Sequence, residues 1–90
     1  MTEIHRVTDP NTADAPVTSS LQSTVYAGGE LVAVDGSPVA GHGVGEHASP
    51  VTANGDTTVY AEGIPINSKG DADSCGHPRA AGLNTVFVGP

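Results

Sequence analysis

The chain has 90 residues, with three Lys or Arg against ten Asp or Glu and a formal charge of −7. So acidic a chain has almost no cation with which to release phosphate counterions, which argues against nucleic-acid binding and against a basic footprint on anionic lipid. Twelve Gly, three aromatics and one Met give a single domain, 1–90, little side-chain volume for a core, and domains this small commonly need a staple. Cys75 is the only cysteine, so an intramolecular disulfide is excluded and a metal or a partner is the expected support.

In chain order, Met1-Thr-Glu-Ile-His-Arg6 has no apolar run behind it and does not read as a secretory signal. The expectation is a soluble protein made in the cytoplasm. Residues 9–20, rich in Pro, Thr, Ser and Asp, read as loop. Thr24-Val25-Tyr26 alternates in the manner of a half-buried strand. Leu31–Val34 is the longest apolar stretch, far too short to span a bilayer. It runs into Asp35-Gly36, a dipeptide suited to a tight hairpin that would resume at Val39. Asn54-Gly55 is a second such turn, just before Thr58-Val59-Tyr60. Pro65 in Gly63-Ile-Pro-Ile66 cannot donate to a ladder and fits an edge or a strand start. Thr85-Val86-Phe87 closes the series. No window has helical periodicity, and Gly or Pro interrupts nearly every ten residues. The fold class is all-β, short strands joined by Gly-rich turns.

Every aromatic residue of the chain falls at one position of a threefold repeat, Thr-Val-Tyr/Phe, inside longer frames at 21–29, 55–63 and 82–89. Three similar strands predict a monomer with internal pseudo-threefold symmetry. The rings either form the domain's own core or lie in a joint with a partner, and the sequence leaves both open. A second correspondence aligns Gly36-x-Pro-Val with Gly63-x-Pro-Ile, each followed by a Gly seven residues after the first. In that alignment His47 and Cys75 fall at nearly equivalent points.

His42, His47, Cys75 and His77 form a plausible tetrahedral zinc set. Cys75 and His77 are two apart and share a face on an extended strand, while Gly43 and Gly45 can supply the bend between His42 and His47. The quartet uses the only Cys and three of the four His. A soft thiolate with imidazoles favours zinc. His5 is the reserve ligand. The enzymatic alternative is a small zinc- or cysteine-dependent hydrolase, with Cys75 as nucleophile and a His as base, or a three-ligand zinc with Glu46 as base. No orienting group or oxyanion loop stands in a recognisable frame, so the expectation is a protein that is not an enzyme.

The stretch from Thr58 to His77, followed by Gly82-Leu-Asn-Thr-Val-Phe-Val-Gly89, resembles the PAAR-repeat family, as does Arg6-Val7-Thr8-Asp9 near the start. The name-giving tetrapeptide is absent: Pro38-Val-Ala-Gly41 and Pro65-Ile-Asn-Ser68 stand in its place. Thr8 replaces a Gly, and Thr12-Ala13-Asp14 lacks the His that many members carry there. The resemblance implies a conical, pseudo-threefold β structure that caps the trimeric β-helical spike of a contractile injection machine. It also implies a structural zinc near the apex, held by three His and one Cys. On that reading the protein is a tip that touches the target outer membrane in passing. It would sit in a virion, on a phage tail baseplate, or alternatively act as tip or effector adaptor of a type VI secretion system. The wide base would meet the spike's blunt end. Gly89-Pro90 follows the last repeat strand directly, so cargo would bind non-covalently.

Overall fold

The computed structural model describes residues 2–80 and 82–88, with backbone alone at Glu46 and Asn84. Six short strands pair as three separate two-stranded antiparallel sheets. Strand β2 (Tyr26–Ala27) pairs with β3 (Glu30–Leu31), and β4 (Asp56–Ala61) with β5 (Ile64–Ile66). The third pair joins β6 (Leu83–Val88) to β1 (Thr2–Ile4), the two ends of the described chain. The fold is all-β: among the described residues the helical content is one 3-10 turn over Gly45–His47. No helix there is long and apolar enough to cross a membrane.

The three pairs are copies of one unit. Ala27 faces Glu30 and Ala61 faces Ile64 across two-residue turns, just as Val88 faces Thr2. Both closed turns take positive φ at their two central positions, 59° and 85° at Gly28-Gly29 and 52° and 80° at Glu62-Gly63. That is the type I′ geometry whose twist matches antiparallel strands. Each repeat therefore begins with a Thr-Val-aromatic strand and returns toward a common axis.

At the axis the backbones of three repeats close a ring. His5 N–H donates to Asn67 O (3.1 Å), Asn67 N–H to Ala33 O (3.0 Å) and Ala33 N–H to His5 O (2.9 Å). The bridges Ile4–Ser68, Arg6–Val32 and Val34–Ile66 follow the same cycle. All three ring residues are fully buried. Beside them the main core stacks two equivalent triads, Ile4, Val32, Ile66 and Ala27, Ala61, Val88. Small and β-branched side chains suffice because each repeat fills only a third of a narrow interior.

Past the ring each repeat makes the same turn. The N–H groups of Asp9, Ser37 and Asp71 donate to the carbonyls of Arg6, Val34 and Ser68. The side-chain oxygens of Asp9, Ser37 and Asp71 in turn accept from the N–H groups of those three residues. The residue before each lies at positive φ: Thr8 at 82°, Gly36 at 87° and Gly70 at 97°. The chain then enters a distal loop and comes back, so that Thr8, Gly36 and Gly70 donate to the carbonyls of Val17, Thr52 and Arg79, each at 2.8 Å.

Three expectations need correction. Gly36 is equivalent to Gly70, not to Gly63, whose counterpart is Gly29; the shared Gly-x-Pro spacing is a coincidence of sequence. Asp35-Gly36 does form a turn, but not a hairpin, because Val34 bridges Ile66 while Val39 bridges Val17. Asn54-Gly55 is no hairpin turn either. Gly55 is needed for space: a Cβ there would lie 2.7 Å from Asp35 Oδ1 and 2.9 Å from Ile66 O. The rings, in contrast to the core alternative, point outward, with Tyr26, Tyr60 and Phe87 exposed to 60%, 53% and 51%. Gly89 and Pro90 lie outside the described residues.

Candidate metal centre

The distal loops differ in length, and the difference builds the site. In the first repeat Asn11 N–H reaches Ala15 O, four residues on, and in the third Asp73 N–H reaches His77 O at the same spacing. In the second repeat Val39 N–H reaches Pro50 O, eleven residues on. The loops align Cys75 with Ala13 and His77 with Ala15, so the first repeat has methyl groups where the third has ligands. The seven additional residues of the second loop carry both His42 and His47. One long loop supplies two ligands and the first repeat supplies none.

Local chemistry holds the long loop in shape. His42 N–H donates to His47 O at 2.9 Å, and the 3-10 turn places His47 back over His42. Gly45 sits at φ 62°, where a side chain is strained. At Gly43 a Cβ would stand 3.0 Å from His47 Cβ. Both glycines of the expected bend thus ease it, one through its backbone angle and one through room. In the third repeat the Cys75-Gly76-His77 tip is a tight turn closed by Gly76 N–H to Asp73 O, 2.9 Å.

The structure brings all four expected ligands together. One ligand atom from each of His42, His47, Cys75 and His77 lies within 4.8 Å of the others. His47 Nδ1 is 3.2 Å from His42 Nε2, and Cys75 Sγ is 3.6 Å from the same nitrogen. A tetrahedral zinc with ordinary bond lengths has N–N edges of about 3.3 Å and N–S edges of about 3.6 Å. Those two edges are compatible with a metal ion held by all four residues. The three imidazole centroids stand 5.0 to 5.2 Å apart at tilted angles, as rings converging on a point do and stacked rings do not.

Outer contacts set the tautomers. His42 Nδ1 lies 3.1 Å from Ala40 O, so its N–H points there and the Nε2 lone pair is left for a metal. His77 Nδ1 lies 3.4 Å from Thr12 Oγ1, a contact from the ligandless first repeat. Cys75 is buried and the three histidines are half-buried. Four protein ligands in one local cluster describe a group that can hold a metal ion. His5, the reserve ligand, stays outside it. It lies on the axial ring, with Nε2 2.8 Å from Arg79 Nη1 and 3.0 Å from Asp9 O. Glu46 lies on the same loop, but its side chain is outside the described residues.

Sequence reasoning missed the charged cluster beneath the site. Arg79 and Asp73, both with fully buried side chains, form an ion pair. Asn11 Nδ2 donates to the same Asp73 oxygen at 3.0 Å. Burial depresses the Arg79 guanidinium pKa, and the Asp73 carboxylate opposes that shift. Aligning Gly70 with Thr8 sets Arg79 opposite Val17, but nothing in the sequence marks the pair as buried.

No protein-family model matches the chain, and no curated protein matches it either.

Proposed function

We propose that the protein is a structural tip that caps a trimeric spike in a contractile injection machine and carries a structural zinc at its point. The observation that carries this reading is the placement of the rings. Three equivalent strand pairs around a pseudo-threefold axis each present an exposed aromatic, and Val25 and Val86, next to two of the rings in sequence, are exposed as well. A monomer seldom leaves its only aromatics in water, and such apolar clusters mark interaction surfaces. One chain with three equivalent contact elements can engage all three subunits of a true trimer. The metal ligands lie in the distal loops, beyond the ring and turn layers from those strands.

On this reading the function is mechanical. Zinc held by His42, His47, Cys75 and His77 joins the distal loops of two repeats, so the narrow end stays folded under load. Four protein ligands close the coordination sphere, which suits a structural rather than a catalytic ion. Contact with the target outer membrane is transient, and a formal charge of −7 gives no resting affinity for anionic lipid. A phage tail baseplate is our preferred setting, with a type VI secretion system as the other.

The test is stoichiometry. Mixed with a trimeric β-helical spike, the protein should form a complex of one chain per trimer by native mass spectrometry. By itself it should run as a monomer. Self-trimerisation, or three copies per spike, would contradict the proposal.

A further inference from the structure

Two buried charges occupy positions where the other repeats have none. Arg79 is equivalent to Val17 and Thr52, and Asp73 to Asn11 and Val39, by the backbone hydrogen bonds that define each repeat. All six residues are buried. The pair is an expensive substitute for the neutral residues beside it, because desolvating two ions costs more than packing two apolar groups. It is also incompletely satisfied, since Asp73 Oδ1 and Arg79 Nε have no hydrogen-bond partner among the described residues. Stability alone does not account for it.

Its position suggests what does. Asp73 stands two residues before Cys75, and Arg79 two residues after His77. The ion pair therefore spans the base of the turn that carries two of the four ligands. From there Arg79 Nη1 reaches His5 Nε2 at 2.8 Å and Asp9 O at 3.4 Å, and Asp73 accepts from Asn11. All three of these partners belong to the ligandless first repeat. The other two ligands sit on a long loop held chiefly by its own hydrogen bonds.

We propose that Asp73 and Arg79 are a positioning pair for the metal centre. They fix the Cys75-His77 half of the site against the first repeat, so that only the His42-His47 loop must order when the ion binds. This role rests on the metal reading above. It explains why the first repeat, which supplies no ligand, supplies polar anchors.

The decisive variant gives the third repeat the residues of the second, Asp73→Val with Arg79→Thr, removing both charges so that neither is stranded. Chelated protein should keep a single cooperative thermal transition. Zinc affinity, measured by chelator competition, should fall by roughly 10- to 100-fold, the usual effect of losing outer-sphere support. With cobalt in place of zinc, the thiolate-to-cobalt and d–d absorption bands should shift or weaken, which a general loss of stability would not produce. Should the double variant fail to fold, Arg79→Lys keeps a cation opposite Asp73 while withdrawing the guanidinium from His5 and Asp9, and the same two readouts apply. Unchanged affinity with an unchanged cobalt spectrum in a folded variant overturns the positioning role alone. A wild-type protein that takes up neither metal overturns the metal centre itself, and this role with it.

Discussion

Thr8→Gly should stabilise the protein. Thr8 is exposed and sits at φ 82°, where the equivalent residues are Gly36 at φ 87° and Gly70 at φ 97°. A left-handed backbone costs an L residue roughly 1–2 kcal/mol, and a β-branched residue sits at the unfavourable end. Against this, glycine adds about 0.5–1 kcal/mol of unfolded-chain entropy. No packing is lost, and the Thr8 N–H bond to Val17 O at 2.8 Å is a backbone contact that survives. The net gain is about 1 kcal/mol, which in a domain this small raises the Tm by roughly 4–8 °C. Differential scanning calorimetry of the chelated protein measures it without interference from metal. A fall in Tm would refute the strain argument, and with it the claim that residue 8 is the first repeat's copy of Gly36 and Gly70.

Replacing Tyr26, Tyr60 and Phe87 together by Ser should change the Tm little, because the rings are half or more exposed, yet should abolish capture by a trimeric spike in a pull-down; a large loss of stability would place the rings in the core instead. Burial holds the Asp71 carboxyl above its ordinary pKa, with Asp35 and Asp56 adding repulsion. The folded state therefore keeps its proton to higher pH than the unfolded chain, so this residue's contribution to stability is full below the unfolded-chain pKa and is lost as pH rises through the folded one. Asp71→Ser, which copies Ser37 at the equivalent turn, should remove that slope from urea midpoints measured across the acidic range, and an unchanged slope would count against it.

The repeat was legible because it is written in the residues that strands and rings demand, and all three Thr-Val-aromatic copies lie at the start of equivalent units. The quartet was legible because it gathers nearly all the soft ligands of the chain. What the sequence concealed was the frame. Gly36 and Gly63 look alike in text, but the backbone uses Gly36 and Gly70 at one turn and Gly29 and Gly63 at another. Thr8 and Glu62 hide the same two turns, since each holds a left-handed angle without being glycine. Glu62 is kept by a second interaction: its carboxylate accepts from Ser23 N–H and Thr24 Oγ1, and these bonds lower its pKa. The Asp73–Arg79 pair left no local signal, because burial of a charge is a tertiary fact.

Metal content together with thermal unfolding decides whether the distal end is stapled by a metal. Purified wild type should carry one zinc per chain by elemental analysis, and Cys75→Ala should carry none. Stabilisation by a ligand present at a thousand times its Kd is about 4 kcal/mol, so chelator should lower the wild-type Tm by roughly 15–30 °C and leave the variant unmoved. A wild type free of metal, with the same Tm before and after chelation, would contradict the account.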